Sequence, residues 1–148
     1  MIYVHVIYNS FSLEYPARLC YLLNRSNPMD CKKLLLIVDD EEGIRAIFEE
    51  IFDGDCQVIC ASRGDEALKA FLERRPDAVI LDFELEGILR GDHVLKLMKF
   101  ANTKAFVAMM TARGELKEKL LREGADAFYE KPFNALVIRD HLFEMKII

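Results

Sequence analysis

Two neighbouring aspartates, Asp39 and Asp40, close the apolar run "KLLLIV". A third, Asp82, closes "DAVIL"; Thr111 closes "KAFVAMM", and Lys131 follows "DAFYE". Each of these side chains sits at the end of a short run that reads as a buried strand. Alone, each has an ordinary explanation. A pair of acids after a strand often marks the start of a solvated helix, where negative charge meets the helix dipole. Asp82 could be a turn residue, Thr111 a helix cap and Lys131 a surface lysine. Together they suggest chemistry. Three carboxylates crowded at one rim repel, and burial makes this worse. A hard divalent cation relieves the conflict, because magnesium takes carboxylate, water and phosphate oxygens. A lysine beside them offers a point charge for a phosphoryl group, and a threonine hydroxyl one more hydrogen bond.

The elements that would bring these residues together follow from periodicity. After Asp40, the residues Ile44, Ile47, Phe48, Ile51 and Phe52 share one helical face. "QVICA" reads as a second strand. Ser62 with Asp65 resembles a capping box, and the next helix would bury Ala67, Leu68, Phe71 and Leu72. "DAVILD" is the third strand, followed by a helix over 91–99 with Val94, Leu95, Leu97 and Met98 inward. "KAFVAMMT" is the fourth, followed by a charged helix over 114–123 that stops at Gly124. "DAFYEK" is the fifth; Pro132 breaks it, and Asn134 caps a last helix running towards residue 145. Five strands alternating with five helices imply an α/β protein, a parallel sheet with right-handed crossovers and helices on both faces, a three-layer αβα sandwich. In such sheets ligands sit at the carboxyl ends of the strands, where all five candidate side chains fall.

Composition narrows the function classes. The chain has 148 residues and a formal charge of −5, which argues against a broad nucleic-acid footprint. No apolar run is long enough to span a bilayer, and the start "MIYVHVIYNSFSLEYP" lacks the features of a secretion signal. Cys20, Cys31, Cys56 and Cys60 form no CxxC pair and read as plain thiols in a reducing cytoplasm. Residues 1–32 lack the regular pattern and read as an N-terminal extension or arm, with Met29 as an alternative true start. The organised domain is expected over 33–148. His5, His93 and His141 lie in no setting that suggests a phosphohistidine relay.

The segments "LLLIVDDEE", "PDAVILDFEL", "VAMMTA" and "GADAFYEKPF" resemble, in order and spacing, the receiver domain of two-component response regulators, over roughly residues 33–145. The resemblance implies a flavodoxin-like sheet of order 2-1-3-4-5. It implies that Asp82 accepts a phosphoryl group from a phosphohistidine on a sensor histidine kinase or phosphotransfer protein. It also implies that Asp39, Asp40, Asp82 and the backbone carbonyl of Glu84 hold Mg2+. By the same resemblance Thr111 and Lys131 bind the phosphoryl group and Phe128 is an aromatic switch that turns inward on activation. The Lys131–Pro132 bond is expected to be cis. The implied protein is a cytoplasmic switch and not a turnover enzyme. It is expected to be a monomer or weak dimer, and to bind neither nucleic acid nor membrane. The chain ends with the fifth helix, so action through a downstream protein partner is expected. The charged fourth helix, with Arg113, Lys117, Lys119 and Arg122 against Glu115, Glu118 and Glu123, is a candidate partner surface, or else an ordinary solvated helix.

There are departures from the family pattern. Relatives usually carry a proline four residues after the phosphoacceptor, where Glu86 stands here. The usual glycine about eight residues on is replaced by Gly87, early, and Gly91, late, so "ELEGILRGD" reads as a longer or rewired loop. Glu84 adds a carboxylate that could aim a water, contact magnesium through water, or face solvent. Two other readings remain open at this level. One is a receiver used as a non-phosphorylated docking scaffold. The other is a haloacid-dehalogenase-like phosphatase, which would want a second aspartate where Glu84 stands. A dinucleotide-binding reading fails for want of a glycine-rich fingerprint after the first strand.

Overall fold

The computed structural model describes residues 33–148. The expectations for residues 1–32, including the arm, the alternative start at Met29, Cys20, Cys31 and His5, lie outside them. The described chain runs β1 (Leu34–Val38), α1 (Glu42–Ile51), β2 (Gln57–Ala61), α2 (Gly64–Arg74), β3 (Ala78–Asp82), α3 (Gly91–Ala101), β4 (Phe106–Thr111), a 3-10 turn (Gly114–Leu116), α4 (Lys117–Arg122), β5 (Ala127–Glu130) and α5 (Ala135–Glu144). The five strands are parallel, as the alternation implies, and ordered β2-β1-β3-β4-β5, the flavodoxin-like order that the family resemblance implies.

The strand sequences are apolar throughout because both faces are covered. Successive residues feed opposite layers. Leu36, Val38, Val79, Leu81, Val107 and Met109 pack in one core with Ala67 and Phe71 of α2, Val94, Leu95 and Met98 of α3, and Leu120 of α4. Leu35, Ile37, Ile80, Ala108 and Met110 pack in the other with Phe48 and Phe52 next to and on α1, and Ile138 and Leu142 of α5. Fully burying a side chain such as Phe48 contributes about 2–3 kcal/mol. Not every periodic apolar residue is used. Ile47, Leu72 and Leu97 are on the predicted inner faces, but they lie at the stripe edges and stay exposed.

Local signals were met with differences. Asn134 caps α5 by accepting the Leu136 N–H at 3.0 Å. Ser62 pairs with Glu66 and not Asp65: one Glu66 oxygen accepts both the Ser62 N–H and hydroxyl, while Asp65 turns to Arg63. The fourth helix begins as a 3-10 turn and is shorter than the pattern suggests, although it does stop at Gly124 with φ +109°. Two of its charges reach another helix. Lys119 pairs with Asp92 of α3 at 3.2 Å and Glu123 with Lys96 of α3 at 3.0 Å, whereas Arg113 pairs with Glu115. Lys119 and Glu123 therefore form a seam with α3, while Arg113, Glu115, Lys117, Glu118 and Arg122 stay exposed. The helix α3 starts against the end of β3, and Gly91 makes this possible. A Cβ there would meet the Asp82 carbonyl oxygen at 2.1 Å.

Candidate functional site

Register brings the candidate residues to one rim. Val38 pairs with Leu81, so Asp39 and Asp82, the next residues, leave the sheet side by side. Asp82 pairs with Met110 and Thr111 with Glu130, which sets Thr111 and Lys131 at the same edge. Asp39 and Thr111 are fully buried and Asp82 is 1% exposed, so none is an ordinary solvated acid or surface cap.

Lys131 joins two strand ends. Its Nζ donates to Asp39 Oδ2 and to Asp82 Oδ2, both at 3.0 Å. Its placement follows from the backbone: Lys131 N–H donates to the Thr111 carbonyl at 2.9 Å, and the cis Lys131–Pro132 bond turns the chain immediately afterwards. Asp39 Oδ1 accepts the Glu41 N–H at 2.9 Å. Arg45, one turn into α1, donates from Nη1 to the carbonyls of Asp39 and Asp40 at 2.8 and 3.0 Å and fixes the acidic turn. Sequence reasoning missed this arginine; its spacing five residues after Asp40 was the available signal.

The electrostatics are unbalanced. Burial pushes the Asp82 carboxyl up to about 6, and the Asp39 charge adds to this, while the Lys131 hydrogen bond and charge oppose it. For Lys131, burial works against the ammonium, but hydrogen bonds and charges of Asp82 and Asp39 outweigh it and hold the amine above the ordinary lysine value. Asp82 Oδ1 is buried without a well-formed hydrogen bond, although the Glu84 backbone N–H helps the Asp82 carboxylate. Such an orphan costs free energy unless something completes it. Oxygens of Asp39, Asp40 and Asp82 all lie within 4.8 Å of one another. An all-oxygen donor set of this size suits a small hard dication, and the orphaned Oδ1 gives it a ligand that the protein leaves unused.

The remaining predicted residues fall as follows. Thr111 Oγ1 lies 3.2 and 3.3 Å from the two carboxylate oxygens of Glu84, to which it donates, and accepts the Arg113 N–H at 3.1 Å. So Glu84, an exposed residue, does more than face solvent: its carboxylate is engaged with Thr111. Phe128 on β5 is half-buried against the core beneath α3 and α4. Phe83, the residue after Asp82, is buried beneath two guanidinium groups, Arg90 at 4.9 Å and Arg113 at 5.6 Å from its ring centre. His93 is exposed on α3, and His141 shares a 2.6 Å hydrogen bond with the Tyr129 hydroxyl, away from the acidic cluster in role.

This geometry belongs to a phosphoacceptor fold, and the wider comparison agrees. The sequence profile of the response regulator receiver domain matches residues 35–143, and the chain belongs to that family. It is 38% identical over 109 residues to sporulation initiation phosphotransferase F of Bacillus subtilis, covering 72% of this chain and 87% of that one. It is 36% identical over 105 residues to the alkaline phosphatase synthesis transcriptional regulatory protein PhoP of the same organism, covering 69% of this chain and 43% of that one. The chain thus spans under half the length of that regulator. Among solved structures, the receiver domain of NtrX from Brucella abortus is 33% identical with a TM-score of 0.67, covering 76% of this chain and 96% of that one. Chemotaxis protein CheY4 of Vibrio cholerae is 25% identical with a TM-score of 0.69, covering 76% and 98%. The described domain is a phospho-accepting receiver of two-component signalling, and the phosphatase alternative is set aside. No helix among the described residues is long and apolar enough to cross a membrane.

Proposed function

We propose that Asp82 is the phosphoacceptor and that Asp39, Asp40, Asp82 and the backbone carbonyl of Glu84 hold Mg2+ beside it. The observation that carries this reading is the buried Asp82 Oδ1, without a hydrogen-bond partner, within a cluster of three carboxylates joined, among the described residues, by the Lys131 ammonium. A carboxylate oxygen of Asp82 forms the bond to phosphorus as the phosphorus–nitrogen bond of a phosphohistidine breaks and the imidazole leaves. With a pKa of about 6, Asp82 is mostly ionised at neutral pH and able to attack. Magnesium, when bound, neutralises charge on the incoming phosphoryl oxygens and relieves repulsion among the carboxylates. Lys131 lies 3.0 Å from Asp82 and so offers its charge to the same oxygens. Thr111, one strand away, would donate its hydroxyl to the phosphoryl group after leaving Glu84. Phe128, half-buried on the neighbouring strand opposite Met109, would follow inward, altering the surface formed by α4, β5 and α5.

The donor is a sensor histidine kinase or phosphotransfer protein. A shallow groove of about 380 Å³ lined by Ile44, Ala112, Pro132 and Phe133 opens beside Lys131 and would seat an apolar helix face bearing the phosphohistidine. A cytoplasmic setting suits this donor and the free Cys60 thiol. Incubation with acetyl phosphate and magnesium tests the assignment. The wild type should gain one phosphoryl mass that hydroxylamine removes, as it does an acyl phosphate, and Asp82→Asn should gain none. Equal labelling of both proteins refutes Asp82 as acceptor. Absence of labelling in the wild type under kinase or small-donor conditions favours the docking-scaffold reading.

A further inference from the structure

The Thr111 hydroxyl is fully committed in this structure. It is buried, it accepts from the Arg113 N–H, and its single proton goes to the Glu84 carboxylate. A hydroxyl that donates to Glu84 cannot donate to an oxygen on Asp82 at the same time. Glu84 is also held in place from both sides. Phe83 before it is 2% exposed under Arg90 and Arg113, and Leu85 after it is 6% exposed in the core beneath α2 and α3. Two buried neighbours anchor the short stretch, so the carboxylate between them is presented to Thr111 by a fixed backbone.

We propose that Glu84 is a positioning residue that latches Thr111 in the resting state, as a rival anionic acceptor for the proton that a phosphoryl group on Asp82 requires. This rests on the assignment of Asp82 as phosphoacceptor. Both acceptors are negative, so moving the proton from one to the other exchanges one charge-assisted hydrogen bond for another. The gain on activation is therefore the difference between the two bonds and not the whole of the second. A receiver without the rival would switch more readily at the same phosphoryl occupancy. Glu84 itself is exposed, which puts the latch at the weak end of charged hydrogen bonds.

A double-mutant cycle separates a latch from simple charge repulsion. The readout is the affinity for beryllofluoride, a phosphoryl mimic, in magnesium, followed by NMR of the Thr111 amide or of the residue at 111. Glu84→Ala keeps the backbone carbonyl and removes the rival acceptor; it should tighten binding by about 3- to 10-fold. In a Thr111→Ala background, which has no hydroxyl to hold, the same change should shift affinity by less than about 2-fold. Glu84→Gln retains an acceptor oxygen without the charge and should gain less than Glu84→Ala. Equal gains in both backgrounds, or no gain in either, overturn the latch. Urea unfolding of each variant checks that the fold is kept. The cycle compares proteins that all carry Asp82, so its failure leaves the acceptor assignment standing. If beryllofluoride binds Asp82→Asn as tightly as wild type, or does not bind the wild type, the acceptor assignment fails and takes the latch with it.

Discussion

Replacing Gly91 with alanine adds one methyl group at the point where α3 meets the end of β3. The new Cβ would lie 2.1 Å from the Asp82 carbonyl oxygen, 2.6 Å from Phe83 Cα and 2.9 Å from the Asp82 carbonyl carbon. All three neighbours are backbone, so no side chain can swing aside. The Gly91 N–H also donates to the Phe83 carbonyl at 3.1 Å, which ties the two segments together. Relief demands that the helix start or the strand end move by about 1 Å, and overpacking of this kind costs about 1–3 kcal/mol. With backbone on the receiving side the upper half of that range applies, equivalent to a Tm lower by about 8–15 °C in a domain of this size. The strand end carries Asp82, so the same displacement should slow acetyl phosphate labelling by about 10- to 100-fold. Gly43→Ala is the matched control. It lies in α1 with nothing within 4 Å of a built Cβ, and alanine there should be neutral or stabilising by up to about 1 kcal/mol. Urea unfolding and labelling rates are the assays. A Gly91→Ala protein within about 0.5 kcal/mol and 2-fold of wild type would mean that this close approach does not position the acceptor.

Other perturbations probe the remaining contacts. Magnesium at ten times its dissociation constant should stabilise the wild type by about 1.4 kcal/mol, and Asp40→Ala should lose that gain in a thermal-shift titration; identical shifts would remove Asp40 from the ligand set. The Cys60 thiol is pushed up to about 12 by burial, the Glu49 charge and the Glu49 hydrogen bond. Cys60 is exposed, so solvent tempers this shift, but its thiolate fraction at about pH 8 stays below that of an ordinary cysteine; peptide-resolved alkylation of Cys60 should be slow and Glu49→Gln should speed it. Fast alkylation of the wild type at Cys60 contradicts this. For Asp92, burial works to raise the pKa, but the Lys119 hydrogen bond and charge prevail and lower it below the ordinary carboxylate value. A depressed folded-state pKa gives stability that is present above the unfolded value and lost as pH falls through the folded one. The stability gap between wild type and Asp92→Asn should therefore close below about pH 4, and a gap that persists unchanged to pH 3 speaks against the Lys119 pairing.

The strands could be read from the chain because each is an apolar run too short for a helix, bounded by acids, prolines or turns; their order in the sheet came only from the family resemblance. The rim residues could be read because they fall immediately after those runs, and register then fixes their height. What could not be read lies in features that a linear pattern does not encode. Leu72 and Leu97 have the right spacing for the core, but the stripe is wider than the space beneath it. Glu66 and not Asp65 reaches Ser62, because the choice depends on where the first turn of α2 begins. The charges of α4 look like a free surface in sequence, whereas their partners Asp92 and Lys96 are more than twenty residues away on α3. The same holds for Glu84. Its proximity to Asp82 was visible, but its bond to Thr111 crosses from the loop after β3 to the end of β4. Gly91 appeared as a displaced loop glycine; only the packing shows that it is a contact point between helix and strand.

Both helical layers rest on apolar cores, and each is laced by ion pairs of different exposure. The α1 and α5 side rests on Phe48, Phe52, Ile138 and Leu142 and adds the ion pair Arg139–Asp55, whose side chains are 31% and 28% exposed. The seam between α3 and α4 adds Asp92–Lys119 and Lys96–Glu123, whose lysines are 44% and 50% exposed. At physiological ionic strength the Debye length is about 8 Å, so such partly wetted pairs are screened, and more so in brine. Rising salinity should thus loosen the seam between α3 and α4, on the flank over which Phe128 packs, more than the less exposed Arg139–Asp55 pair on the other.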